Sequence, residues 1–491
     1  MNGKNAWNTY DDADLSKLEQ LAASYKEFLN NGKTERECVS YLAKEAGKEG
    51  FIDLAQAIRE NRSLKAGDRV YYSNMGKSLF LAVLGERPME DGLKIIGAHI
   101  DSPRLDLKQN PLYEEAGLAY LDTHYYGGIK KYQWVALPLA LHGTVAKRDG
   151  SVIHVCIGER EEEPVFGVTD LLPHIAQNQM MKKANVVIEG EELDLMIGSR
   201  PVRDCERDEA EKTETALCDS EEAKKAAEEA AEKRKARKKH PVRALILDIL
   251  KEKYGIDEED LMAAELEAVP AGRARDYGLD GSMVMGYGQD DRVCSYPAYR
   301  ALCGMKAPDR TCVCLLVDKE EIGSVGATGM QSRFFENAVA ELMDRSGQYS
   351  ELALRRCLSH SRFLSADVSS AFDPTFASEF DKNNAAFLGK GITFNKYSGS
   401  RGKYGANDAN AEYLAAVMSA FDGGNVIYQS AEYGKVDHGG GGTISYILAE
   451  YGMESVDCGV PVLSMHAPWE VTSKADLYEA LKAYSAFYQK A

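Results

Sequence analysis

The first part of the chain places its apolar side chains at helical spacing. One face of a predicted helix holds the following residues: Leu18, Leu21, Ala22, Tyr25, Phe28 and Leu29. Thr34 and Glu37 have the spacing of a capping box, which predicts a second helix ending near Gly47. The alternating segment from Val70 to Leu84 predicts a hairpin that turns near 74–76.

Short apolar runs then recur along the chain, separated by long stretches with helical periodicity. The runs that predict buried strands are Leu93–Ala98, Thr311–Val317, Phe363–Ala366 and Val460–Met465. Alternation of buried strands and helices favours an α/β fold with a mostly parallel sheet flanked by helices.

The middle of the chain has a different texture. Trp134–Ala146 and Ser151–Ile157 predict strands of a β-rich unit, and an amphipathic helix is predicted around Val242–Leu250. Between them, residues 204–239 are crowded with Glu, Lys, Arg and Ala. We interpret this excursion as a solvated or disordered segment, with an oligomer contact as the alternative. The predicted organisation is an α/β domain, residues 1–105 and 282–491, interrupted by an inserted domain, residues 106–281.

Composition narrows the class of protein. With 59 Lys and Arg against 77 Asp and Glu, the formal net charge is −18, which argues against nucleic acid or membrane as a partner. We find no long uncharged apolar run and therefore expect neither an export signal nor a membrane-spanning helix. The ten cysteines show no regular framework and no CxxC pair, so we expect reduced thiols in a cytoplasmic protein and exclude a zinc finger.

Histidines and carboxylates follow the apolar runs. In chain order they are His99 with Asp101, Glu320 with Glu321, Asp367, and His466; the pair Asp290 and Asp291 precedes a probable helix. In an open parallel sheet the carboxyl ends of the strands form the edge where ligands bind. Two imidazoles and several carboxylates form a ligand set suited to Zn²⁺.

Charge balance favours two metal ions over one. Two divalent cations carry four positive charges, which three ligating carboxylates and a bridging hydroxide would cancel. A single ion would leave excess negative charge in a desolvated site. Each piece alone has a more ordinary interpretation, since a lone His-x-Asp is usually a surface pair and adjacent glutamates are usually solvated. Spacing and composition by themselves therefore indicate a possible metallohydrolase.

The chain also resembles the M18 family of metalloaminopeptidases, whose best known member is aspartyl aminopeptidase. The resemblance covers nearly the whole chain and is carried, in order, by five stretches: His99-Ile-Asp-Ser-Pro103, Gln289-Asp-Asp-Arg292, Asp318-Lys-Glu-Glu-Ile-Gly-Ser324, Ser365-Ala-Asp367 and Ser464-Met-His466.

The resemblance implies a role for each matching residue. His99 and Asp367 would hold one metal ion, Glu321 and His466 the other, and Asp290 would bridge them, with Asp291 as the alternative bridge. Glu320 would be the general base, and Asp101 would orient His99 through its second ring nitrogen. His174, in the inserted domain, would reach the active site of a neighbouring subunit; an ordinary structural histidine is the alternative.

The resemblance further implies an aminopeptidase that uses two divalent ions, zinc foremost, to generate the hydroxide that attacks the peptide bond. Its substrates would be short peptides, and dimers formed through the inserted domain would assemble into a dodecamer. Lys396, Arg401 and Lys403 could attract an acidic N-terminal residue, or could form an ordinary exposed basic loop. The alternatives are a related dimetal dipeptidase or deacylase and a catalytically silent assembly protein.

Overall fold

A computed structural model describes residues 4–203, 231–232 and 234–491 of the protein. The chain divides into two units: unit 1 comprises Met1–Pro103 and Arg273–Ala491, and unit 2 comprises Arg104–Gly272. Of the predicted polar excursion at 204–239, residues 204–230 and 233 lie outside the described residues.

Unit 1 is built on a nine-stranded mixed sheet whose centre is parallel. In spatial order its strands are β1 (Ile52–Asp53), β2 (Arg69–Asn74), β3 (Ser78–Val83), β13 (Cys312–Val317), β4 (Lys94–His99), β14 (Arg362–Ser365), β20 (Glu454–Gly459), β16 (Ile392–Asn395) and β18 (Tyr428–Ser430). The four central strands, β13, β4, β14 and β20, are parallel to one another. The β2–β3 hairpin is antiparallel, as the alternating pattern predicts.

Helices cover both faces of this sheet. They are α1 (Asp12–Asn31), α2 (Glu35–Lys48), α3 (Leu54–Arg59), α6 (Gln289–Cys303), α7 (Phe334–Arg345), α8 (Glu351–Ser359), α9 (Ala411–Gly423), α10 (Ser445–Ala449) and α11 (Lys474–Lys490). Strand β13 is buried along its whole length: Cys314 and Leu316 pack into one apolar cluster, whereas Val313 and Leu315 pack into the cluster on the other face. Burial on both faces explains why such strands appear in the sequence as unbroken apolar runs.

A second sheet of unit 1 contains five short strands. In spatial order these are β11 (Arg275–Tyr277), β12 (Met283–Gly286), β22 (Glu470–Ser473), β21 (Pro461–Leu463) and β15 (Ser369–Ser370). β11 pairs with β12, and β12 pairs with β22, so the chain has returned to unit 1 by Arg273, whereas the sequence led us to expect a boundary at 282. Two further strands, β17 (Gly399–Ser400) and β19 (Gly440–Gly441), form a separate pair.

The predicted strand Val460–Met465 is wrong in its sheet and its length. The strand of the main sheet in this region is β20, which ends at Gly459, and the chain then passes into β21 of the five-stranded sheet. The apolar pattern misses β20 because this buried strand carries polar Ser455 and Asp457.

Unit 2 is built on a six-stranded antiparallel sheet. Its strands, in spatial order, are β8 (Val152–Ile157), β7 (Leu139–Ala146), β10 (Ala264–Pro270), β5 (Arg104–Glu115), β6 (Leu118–Tyr126) and β9 (Leu195–Gly198). The helix α5 (Pro241–Tyr254) packs against β5, β6 and β9, and a short helix α4 spans Gln177–Met180. The predicted strand at Trp134 begins only at Leu139, because a 3-10 turn, Lys131–Gln133, precedes it.

The two units together confirm the predicted α/β class with a β-rich insertion. A search of the described helices for one with the length and apolar character needed to span a membrane finds none.

Candidate metal centre

Four of the predicted site residues lie at or just after the carboxyl ends of three neighbouring strands of the main sheet. His99 is the last residue of β4 and is paired in register with Val317, the last residue of β13. Glu320 and Glu321 open a short 3-10 turn, Glu320–Ile322, directly after β13, and Asp367 follows the end of β14. These strands are parallel, so their carboxyl ends, and the residues that follow them, meet at one edge of the sheet.

Asp290 and Asp291 approach the same edge from the start of α6. Both depart from helical backbone geometry, and the peptide bond between them is cis. The Ser102 hydroxyl donates a hydrogen bond to the backbone carbonyl of Asp290 at 2.9 Å. The segment is thereby tied to the loop that follows His99.

His466 reaches the cluster from a loop of the five-stranded sheet. It follows β21 and has a left-handed backbone with φ of 64°. The expectation that His466 ends a strand of the parallel sheet is therefore wrong, although its imidazole does reach the other site residues.

The five predicted metal ligands come together in one cluster. The two carboxylate oxygens of Asp290 lie 3.0 Å from His99 Nε2 and 3.2 Å from His466 Nε2. His466 Nε2 also lies 3.6 Å from Glu321 Oε2. Two groups of three residues, which share His99, each have their candidate ligand atoms within 4.8 Å of one another. One group is His99, Asp290 and Glu321, and the other is His99, Asp291 and Asp367.

Burial shifts the pKa values of the carboxyl groups in the cluster. It raises the pKa of Asp291, Glu321 and Asp367 well above the ordinary range of a carboxyl group. Burial acts in the same direction on Asp290, but hydrogen bonds from His466 and His99 outweigh it and hold that pKa below its usual range.

Glu320 lies beside the cluster without joining either group of candidate ligands. Burial, with the nearby charges of Asp101 and Asp290, raises the pKa of Glu320 to about 7. A carboxyl group with a pKa near neutrality can both accept and return a proton.

Asp101 contacts both sides of the cluster. One of its oxygens, Oδ1, lies 3.3 Å from His99 Nδ1. Its carboxylate also accepts the backbone N–H groups of Glu320 at 3.2 Å and Glu321 at 3.1 Å. Asp101 is fully buried, so these contacts fix both the imidazole and the glutamate turn.

The sequence does not single out two further buried residues at the centre. Glu470 accepts the backbone N–H groups of Asp290 and His466. The guanidinium of Arg292 donates to the backbone carbonyl of Ile100, at 3.2 Å. Glu470 opens an otherwise apolar or hydroxyl-bearing buried strand, and a charge in that position is the one sequence signal that could have identified it.

The remaining candidates lie outside this cluster. His174 belongs to unit 2, where it occupies the exposed 3-10 turn Pro173–Ile175. In unit 1, Lys403 forms an ion pair with Asp408 at 2.8 Å, and Lys396 lies 3.8 Å from the same carboxylate. Within the described residues, Arg401 makes no ion pair.

Comparison with known proteins identifies the family of the chain. Residues 28–488 match the family model described as aminopeptidase I zinc metalloprotease (M18). The chain is 54% identical to a probable M18 family aminopeptidase 1 of Clostridium acetobutylicum, over 99% of this chain and 97% of the relative.

Solved structures show the same similarity. The crystal structure of an M18 family aminopeptidase from Thermotoga maritima superposes with a TM-score of 0.88 at 38% identity, covering 100% of both chains. The S. cerevisiae mApe1 dodecamer shares the fold, with a TM-score of 0.71 at 20% identity over 96% of each chain.

These matches confirm the predicted family, the predicted fold class and the prediction of a peptide-hydrolysing metalloenzyme. The chain belongs to the M18 family of zinc aminopeptidases.

Proposed function

We propose that this M18 aminopeptidase works with two zinc ions held by the cluster at the sheet edge. His99 and Asp367 would hold one ion, Glu321 and His466 the other, and Asp290 would bridge them. The observation that carries the proposal is the position of Asp290, whose two oxygens face two different imidazoles, at 3.0 Å and 3.2 Å. Asp291 is less suited to bridging, because one of its oxygens accepts the backbone N–H of His99.

The donor set fits divalent cations on physical grounds. Several carboxylates share a buried space, where their mutual repulsion and desolvation oppose ionisation. Among the described residues, Glu321 Oε1 and Asp291 Oδ1 are buried without a hydrogen-bond partner. Bound cations would satisfy these oxygens and favour the ionised carboxylates.

The chain's own residues would move the proton and position the substrate. Zinc, when bound, would supply Lewis acidity toward the attacking water and the scissile carbonyl. Glu320 would accept the proton of the water and return it to the leaving amine, a role that suits a carboxylate outside the ligand set. His466 has a side chain 35% exposed, whereas the side chains of His99 and Asp290 are nearly inaccessible, so a peptide would approach from the His466 side.

The variant Glu320→Gln tests this assignment. It keeps the size of the side chain and removes the proton acceptor, so we expect zinc content within twofold of wild type and a fall in kcat of at least about a hundredfold. Exposed Glu351→Gln on α8 is the matched control and should leave both values unchanged. Wild-type turnover by Glu320→Gln would show that another group is the base.

Substrate preference is a finer part of the proposal. Lys403 and Lys396 share the single carboxylate of Asp408, whereas Arg401 makes no ion pair within the described residues, so Arg401 is the cation that would attract an acidic N-terminal residue. If acidic residues are preferred, Arg401→Gln should lower kcat/KM for Asp- and Glu-anilides more than for Leu-anilide. Equal losses on all three would remove the basis for an acidic preference, and cleavage of N-acetylated peptides alone would identify a deacylase.

We also propose a cytoplasmic homo-oligomer acting on short peptides. All eight cysteines within the described ranges are free thiols, as suits a reducing compartment. The S. cerevisiae relative forms a dodecamer, and a dodecamer built from dimers of the inserted domain is the assembly we expect in solution.

His174 would complete a neighbouring subunit's site, so His174→Ala should lower kcat while the mass measured by light scattering stays unchanged. Full activity in that variant would eliminate the role.

A further inference from the structure

Glu470 links the two chain segments that carry Asp290 and His466. Its Oε2 accepts the backbone N–H of Asp290 at 3.0 Å, and its Oε1 accepts the backbone N–H of His466 at 2.8 Å. The residue is 1% exposed. On the basis of the proposed dinuclear function, we infer that Glu470 is a positioning residue. It sets the spacing of these two ligands and thereby the affinity for the zinc ion on the His466 side.

Both N–H groups lie where regular structure cannot hold them. Asp290 has φ of −78° and ψ of 107°, outside helical geometry, at the broken start of α6. His466 has the left-handed φ of 64°, a conformation that a residue with a Cβ adopts only when its surroundings impose it. A carboxylate that accepts from both backbones supplies the constraint that a strand ladder or helix would otherwise provide.

Glu470 is itself held firmly. It is the first residue of β22 and is paired in register with Gly286 of β12. Its backbone carbonyl accepts a hydrogen bond from the Gln289 side-chain amide at 2.6 Å, and the same amide donates to Val284 at 3.1 Å. The anchor is therefore held by the five-stranded sheet and by the side chain of Gln289, which precedes Asp290.

The constraint acts unequally on the two sides of the cluster. His99 is fixed by β4, by the Ser295 hydroxyl that donates to its carbonyl at 2.7 Å, and by Asp101. His466 lies in a loop, outside any strand ladder, and its backbone N–H donates to Glu470. Loss of Glu470 should therefore loosen the ion at His466 more than the ion at His99.

The test compares two variants that damage similar features in unit 1. Glu470→Gln keeps the side-chain size but places an amide NH₂ against a backbone N–H. Asp476→Asn is the matched control, because the buried Asp476 carboxylate also accepts two backbone N–H groups, from Gly389 and Gly391, both at 2.7 Å. Zinc per chain is measured by mass spectrometry after dialysis against buffers of fixed free zinc, and thermal unfolding is recorded in parallel.

We expect both variants to unfold at lower temperature and only Glu470→Gln to lose zinc affinity. The site on the His466 side, whose ligand lies in a loop, should be the weaker of the two, and the free zinc needed to fill it should rise about 10–100-fold, as is usual when a group that orients a ligand is removed. The stronger site of Glu470→Gln and both sites of Asp476→Asn should stay within about twofold of wild type.

Three results would overturn the inference. Unchanged zinc binding by a folded Glu470→Gln would do so while leaving the proposed function intact. An equal loss of zinc affinity in Asp476→Asn would show that the effect comes from general destabilisation of the protein. Absence of zinc binding by the wild type would remove both the proposed function and this inference. If Glu470→Gln does not fold, Glu470→Asp, which keeps the charge but is too short to reach both backbones, is held to the same criterion.

Discussion

The carboxylate of Asp101 shows how one side chain can serve two parts of a centre. It faces His99 Nδ1, and it also accepts the backbone N–H groups of Glu320 and Glu321. Removing its charge should therefore disturb the proposed metal ligand His99 and the proposed general base Glu320 together.

We predict that Asp101→Asn lowers kcat by about 10–100-fold and weakens zinc binding to a smaller degree. Asn keeps one acceptor oxygen but presents an NH₂ group to the second backbone N–H, so the glutamate turn loses one of its two anchors. Steady-state kinetics at saturating zinc, with zinc content measured on the same samples, separate the two effects. Asp373→Asn is the control, since this half-buried aspartate also accepts a backbone N–H, that of Thr375 at 2.8 Å. Equal kinetics for the two variants would contradict the dual role.

Two strands of the main sheet show which elements a sequence pattern can predict and which it cannot. β13 could be predicted because all six of its residues are apolar and both of its faces are buried. β20 could not be predicted, because Ser455 and Asp457 interrupt its apolar pattern. These polar side chains can be buried because hydroxyl groups from other parts of the chain, such as that of Thr443, form hydrogen bonds with them. Hydrogen bonds of this kind connect residues whose proximity exists only in the fold. The sequence therefore marks Glu470 only as a charge in a buried strand and does not reveal its two backbone partners.

Close packing between strands also fixes the site. A Cβ on Gly459, the last residue of β20, would lie 1.7 Å from the backbone carbonyl oxygen of Asp367. Only glycine lets the chain pass this close to the segment that carries the carboxylate.

We predict that Gly459→Ala displaces Asp367, lowers the zinc content and destabilises unit 1 by about 1–3 kcal/mol. The cause is steric, since the neighbouring atoms are backbone and cannot rotate away. Gly441→Ala in β19 is the control, because a Cβ there meets nothing within 4 Å. Chemical denaturation and zinc analysis of both variants provide the comparison. Full zinc content in a folded Gly459→Ala would mean that the Asp367 carboxylate tolerates a shift of its backbone.

The whole chain divides its tasks between the two units. All five proposed ligands, the proposed base and Asp101 belong to unit 1, although the whole of unit 2 lies between His99 and Asp290 in the sequence. The motif order could be predicted from the sequence, but the convergence of the motifs depends on parallel strands that pair β4 with β13 and β14 across that insertion.

This division predicts where metal removal acts. Without cations the buried carboxyl groups of Asp291, Glu321 and Asp367 must either stay ionised without counter-charges or take up protons, so chelation should loosen the sheet edge of unit 1. Zinc at a thousand times its Kd contributes about 4 kcal/mol per independent site, and its loss should raise local hydrogen exchange accordingly. We expect faster exchange in peptides covering 97–103, 288–292 and 317–323, unchanged exchange in the β7–β8 hairpin of unit 2, and recovery when zinc is returned. Equal acceleration in both units would mean that the ions stabilise the chain as a whole, and no change in the unit 1 peptides would mean that the cluster is stable without them.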